Sequence, residues 1–275
     1  MTGEDSDFPI HLDGCHRLQK PQSNQGIEET NTQVNSICHF LTLLARTTSC
    51  KPIRRPWQQG QSLFEEPYFH EDERRIEYIY GITPALGNLL QRTCHLAEYI
   101  AYYKKQEYSI PPVLLEACRA LKMDLLSWEL DPEEFHVTGL ESVMIEIARC
   151  QAHAFHSAVV IFFHRAIGIN CALNLDHEVQ STLRNLTRAE DLKDQYMGGE
   201  KRTAPMSWPA FVAACEATER EPWVEWWTRV QGYKVGNFKR QWSVIRELWE
   251  IMDEDMTVVS WRDALRKSGK LVLPI

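Results

Sequence analysis

The chain has 275 residues, of which 44% are hydrophobic, so it can bury a sizeable core. Its 38 Asp/Glu outnumber its 30 Lys/Arg for a net charge of −8, and both the first 75 residues and the remainder are acidic, which excludes the basic field of an autonomous DNA binder. The eight cysteines include no close pair, which excludes a local zinc framework and reads as reduced thiols of the cytosol or nucleus.

Residues 1–70 are polar and irregular, with Pro9, Pro21, Pro52, Pro56 and Pro67 scattered through them, and read as an arm or linker. Within this stretch Ile37, Phe40, Leu41 and Leu44 share a helical face. They predict a short docking helix over 35–47, serving either as an internal staple or as an external contact. Lys51, Arg54 and Arg55 read as solvated charge rather than a nuclear signal.

Residues 71–275 read as a helical domain. Thr83 caps and Pro84 starts its first helix, with Leu86, Leu89, Leu90, Leu96, Ala97, Ile100 and Tyr103 on the buried side. A second helix follows Pro111 and Pro112 and runs to about Trp128, with Leu114, Leu115, Cys118, Leu121 and Leu125 inward. The third and longest covers about 140–168. Its segment 158–163 is apolar all round, which suits the centre of a bundle and falls far short of the roughly 20 residues of a membrane span. A fourth runs from about 176 to 190, and the polar stretch 191–206 reads as a mobile loop.

The tail holds seven of the nine tryptophans: Trp208, Trp223, Trp226, Trp227, Trp242, Trp249 and Trp261. Ser207 is the expected N-cap of a helix bearing Trp208, Phe211, Val212 and Cys215 on one face. Glu221 and Pro222 open another, lined by Trp223, Trp226, Trp227 and Val230. Adjacent tryptophans point about 100° apart on a helix, so one of Trp226 and Trp227 is expected at the surface. Gly232 and Gly236 bracket a turn before Asn237, the expected next N-cap. Phe238, Trp242, Ile245, Trp249 and Met252 then mark the cleanest amphipathic face, followed by a solvated break at Asp253, Glu254 and Asp255. Ser260 and Asp263 form a capping pair around Trp261, and Gly269 stops the last helix. These readings add up to an all-α fold, an irregular bundle of about eight to ten helices with a loosely ordered N-terminal arm. The tryptophans are read as core.

Reaction chemistry finds little support. Ser142, Glu146, Arg149, His153 and His156 share one stripe of the long helix, and the two histidines could face a metal. Arg149 opposes a cation there, and a di-metal bundle needs two Glu-x-x-His pairs, whereas the chain offers only Glu133 with His136. The acidic stretches 253–260 and 70–74 are not placed on facing helices as a diphosphate synthase requires. No phosphate loop or nucleophile elbow occurs. No residue is therefore assigned a catalytic, cofactor-binding or metal-ligating role, and no cofactor is expected.

Five segments carry a resemblance. They are IYGITPAL (79–86), AFHSAVVIFFHRAIG (154–168), MSWPAFVAACEA (206–217), GNFKRQWSVIRELWE (236–250) and WRDALRKSGKLVLPI (261–275). From about Tyr78 onward the chain resembles the fungal-specific transcription factor domain, the second of the two large families of regulatory helical domains found behind zinc binuclear-cluster DNA-binding domains. The family's six-cysteine reader is not matched, since this sequence contains no Cys-x-x-Cys. The resemblance implies a non-enzymatic transcriptional regulator of fungal metabolism, of a biosynthetic gene cluster for example, located in the nucleus and without its own DNA reader. It implies partners among transcription regulatory proteins, such as a zinc-cluster family member or a second copy of the chain. Direct specific DNA binding and membrane contact are not expected. The alternative is a helical enzyme or accessory protein of a biosynthetic pathway.

Overall fold

In the computed structural model, residues 28–49, 56–58, 62–64, 82–131, 135, 142–168, 173–197, 202–255, 257–258, 260–270 and 272 are described, with side chains from residue 37 onward. Among them are nine α-helices and no strand: α1 Glu28–Ser49, α2 Pro84–Lys105, α3 Pro112–Leu126, α4 Ser142–Ile167, α5 Asp176–Tyr196, α6 Trp208–Glu216, α7 Glu221–Val230, α8 Gly236–Glu254 and α9 Trp261–Ser268. The expectations at Glu133, His136, residues 70–74, Lys51, Arg54 and Arg55 lie outside the described residues. No described helix is long and apolar enough to cross a membrane.

α4 is the axis of the bundle. It packs along α5 and also against α2, α3 and α6. Ala158 to Phe163 are all buried, as a helix that is apolar on every side requires. At its N-terminal half, Ile147 and Cys150 meet Ala189 and Leu192 of α5 in a small separate cluster. The main core spans the rest, from Phe40 and Leu44 of α1 to Leu265 of α9. α1 starts two turns before the expected 35–47 and lies in this core.

Local chemistry sets the boundaries. The Thr83 hydroxyl accepts from the Leu86 N–H at 3.3 Å, and Pro84 follows where its missing N–H costs nothing. The Ser260 hydroxyl accepts from the Asp263 N–H and donates to the Asp263 carboxylate, the capping pair expected for α9. Gly269 closes α9 at φ 66°, a left-handed conformation that costs glycine nothing.

The structure corrects several expectations. α5 does not end at 190 but runs to Tyr196, because Leu192 and Lys193 are buried and extend its packed face. Ser207 holds the N-cap position of α6 as expected, but it does not cap through its side chain: its backbone is at φ −86° and ψ −13°, and its buried hydroxyl has no hydrogen-bond partner. Asn237 lies inside α8, whose N-cap is Val235. The turn before it is a 3-10 turn, Gln231–Tyr233, closed by Lys234 rather than a glycine at φ 58°. Trp226 and Trp227 are both buried, at 3% and 0% exposed, because neighbouring elements cover both sides of α7. Leu115 and Met252 are half-buried, and Asp253 and Glu254 continue α8 rather than break it.

Candidate functional site

The histidine stripe of α4 faces a shallow groove against the end of α3. The His156 ring stacks on Trp128, with centroids 4.5 Å apart, and its Nε2 lies 2.8 Å from the Leu125 carbonyl. His153 meets the same indole edge-on. Arg149 lines the groove beside them, while Ser142 and Glu146 point to solvent. Burial holds both imidazoles below their ordinary basicity, so near neutrality they are uncharged rings packed on an indole. A metal there would have to displace a hydrogen bond and tolerate the Arg149 guanidinium. No group of three or more His, Cys, Asp or Glu suited to a metal occurs among the described residues.

Five of the seven tail tryptophans form one continuous aromatic array. Trp223 meets Trp226, Trp226 meets Trp227 edge-on at 5.2 Å, and Trp227 stacks with Trp242, which meets Trp249 edge-on at 5.4 Å. In the edge-on pairs, positive ring edges rest on negative faces. Trp249 Nε1 donates to the Ala214 carbonyl at 2.8 Å, pinning α8 to α6. Arg220 covers the outer face of Trp249 and forms a two-pronged ion pair with Asp253. Trp208 Nε1 donates to Thr47 Oγ1 at 3.0 Å, pinning α6 to α1.

A polar junction closes the other side of α5. Lys193 Nζ donates to Glu190 at 2.7 Å and to the Thr203 carbonyl, with both side chains fully buried. Tyr233 Oη donates to the same Glu190 carboxylate, and Arg202 reaches both. Burial lowers the Lys193 pKa, and Glu190 pulls it back. Burial of the Tyr233 phenol raises its pKa, helped by Glu190. Sequence reading missed this junction, because four of its members sit in or beside the stretch taken as a loop.

The resemblance segments converge at one joint. Arg165, the basic end of α4, grips Glu216 at 2.7 Å, and both are nearly buried, at 11% and 8% exposed. The Glu216 carboxylate also accepts from the backbone N–H of Trp261, at the start of α9. Burial raises the Glu216 pKa, and Arg165 and the Trp261 N–H oppose the rise. Three segments far apart in sequence thus share one ion pair, and α4, α6 and α9 are held by a charge that none of them could bury alone.

The family described as fungal specific transcription factor domain matches residues 1–275, the whole chain. This chain belongs to that family. The match reaches further than the resemblance from Tyr78 suggested and takes in α1. No curated protein and no solved structure gives a match. The fungal transcription factor domain is thus an all-α body here, its tryptophans consumed in packing.

Beside the Arg165–Glu216 joint lies a cavity of about 480 Å³, bordered by the ends of α2 and α4 and the start of α9. A smaller, apolar pocket lies between α3 and the end of α4, lined by Leu115, Cys118, Phe163, Ile167 and Leu173 with His164 on its wall. The described cysteines 94, 118, 150 and 215 are buried free thiols, and Cys38 is buried as well. Burial pushes the Cys94 thiol up to about 12 and Cys118 to about 11, which makes them packing residues rather than nucleophiles.

Proposed function

We propose that this chain regulates transcription of fungal metabolic genes, including those of a biosynthetic cluster, and that it acts in the nucleus through protein contacts rather than by turnover. The family match over residues 1–275 carries the reading, since it supports a transcription regulator in general. The acidic charge of residues 1–275 disfavours contact between this stretch and a DNA backbone and supports action through a protein partner. That partner is a zinc-cluster member of the same family or a second copy of this chain.

The test is to tether the chain to a heterologous DNA-binding domain in a fungal reporter strain and, in parallel, to follow a fluorescent fusion in the cell. Changed reporter output with nuclear fluorescence supports the reading. Silence and cytoplasmic fluorescence, together with conversion of a pathway metabolite by purified protein, would establish the helical-enzyme alternative instead.

A further inference from the structure

The cavity between α2, α4 and α9 gathers cations, and the packing of the bundle accounts for only some of them. Its floor is apolar: Ile100, Ala101 and Ala166 line it, and the Arg262 guanidinium lies over the Phe162 ring at 5.3 Å. Its walls carry Lys104, Lys105, Arg165, Arg262 and Arg266 against one carboxylate, Asp263. This concentration of cations stands on a chain whose net charge is −8.

Some of that charge is already committed. Lys104 Nζ donates to the Ile167 and Gly168 carbonyls at 3.1 and 3.2 Å, answering the open carbonyls at the end of α4. Arg165 holds Glu216. Asp263 accepts from Ser260 and pairs with Arg266, which removes it as a repulsive group. Arg262 is different. Its Nε is buried and has no acceptor. A buried donor of this kind carries a desolvation cost that an arriving acceptor would relieve. Lys105 stands exposed at the rim, and the exposed Arg266 beside it shares its charge with Asp263.

We propose that this cavity binds a small organic polyanion, a metabolite with two or more carboxylate or phosphate groups on a compact apolar body, as an effector of the domain. Arg262 takes one anionic group through its fork, and Arg266 with Lys105 takes the second. The apolar floor receives the body between them. The volume falls in the range of small-molecule sites. A cluster gathered around one concavity, rather than a basic stripe along a face, selects a small anion over a nucleic-acid backbone. The effector role rests on the transcriptional reading above, whereas the binding itself does not.

The experiment is calorimetric titration of the full chain with pyrophosphate and with citrate, at ionic strength held constant with sodium chloride. Saturable one-to-one binding of at least one of them is expected. Arg262→Gln should weaken it about tenfold. Lys105→Gln combined with Arg266→Gln changes only exposed side chains and should weaken it similarly, with an unchanged circular dichroism spectrum. Arg119→Gln, on an exposed face of α3, should leave it unchanged. The absence of saturable heat for both anions, or equal affinity in wild type and pocket variants, overturns the site. Reporter activity without anion binding removes the site and spares the regulatory reading. Anion binding by a chain that is silent in the reporter assay leaves the site and removes its effector role.

Discussion

The Trp249 indole touches three neighbours of different chemistry: the Ala214 carbonyl through its N–H, the Trp242 ring edge-on, and the Arg220 guanidinium over its face. Truncation to alanine therefore removes a large buried surface and one of the two hydrogen bonds that the Ala214 carbonyl accepts, leaving only that from the Ala217 N–H. Trp249→Ala should cost about 3–5 kcal/mol in a denaturant titration. A conservative pair of changes separates packing from hydrogen bonding. Trp223 is equally enclosed, but its N–H has no hydrogen-bond partner. Trp249→Phe should therefore destabilise more than Trp223→Phe, by about 1 kcal/mol for the lost hydrogen bond. Equal midpoints for the two would show that the bond to Ala214 contributes nothing. Lys234 offers the opposite sign. It sits at φ 58°, where a side chain crowds the backbone. Lys234→Gly should stabilise the protein by about 0.5–1 kcal/mol, the relief of strain exceeding the added freedom of the unfolded chain. A lowered melting temperature would contradict this.

At the scale of elements, α5 shows what burying an ion pair entails. Glu190 and Lys193 face inward three residues apart, with Tyr233 and Arg202 completing the set. Removing only Lys193 leaves a buried carboxylate without its buried cation, so Lys193→Met should cost about 3–5 kcal/mol. Lys193→Met with Glu190→Leu removes both charges and should recover much of that loss. Urea midpoints of the two variants decide it, and a double variant no more stable than the single one would rule the account out. This junction also shows where sequence reading stopped. Punctuation by Thr83–Pro84, Ser260–Asp263 and Gly269 was legible because each acts within a few residues of itself. So was the amphipathic face of Phe238, Trp242, Ile245 and Trp249, because helical period carries it. The burial of Lys193 was not, because its partners Tyr233 and Thr203 reach it from other segments and its own neighbours are polar. The adjacent tryptophans failed for a related reason. Helical geometry says that Trp226 and Trp227 diverge, but only the placement of the other helices says that both directions are covered. The Arg165–Glu216–Trp261 joint needed the assembled bundle, although each member lay in a segment that the resemblance had already marked.

At the scale of the whole molecule, partly covered imidazoles make stability depend on pH: His156 and His164 are half-buried and His153 is exposed. Burial, with Lys122 and Arg165 nearby, pushes His164 down to about 4 from its ordinary 6.5. His153 and His156 are lowered too, chiefly by burial. Between those two values the unfolded chain holds protons that the folded one does not, so stability falls as pH drops from about 6.5 towards 4. Glu216, raised by burial, acts in the reverse sense above its ordinary 4.5, so a single-site comparison is needed. His164→Gln should flatten the acid side of the profile relative to wild type, measured as denaturant midpoints from about pH 7 to about pH 4.5. Parallel profiles would show that His164 gains its proton equally in both states.

The ties made by α1 bear on how the protein is born. Thr47 receives the Trp208 indole N–H from 161 residues downstream, and Thr48 donates to the Val272 carbonyl from 224 residues away. Translation delivers α1 long before either partner exists. Until then the stripe of Phe40, Leu43 and Leu44 emerges from the ribosome with only part of its core to cover it. A nascent chain arrested ahead of Trp208 should accordingly be bound by chaperones that grip exposed apolar segments, and should let go once α6 has cleared the exit tunnel.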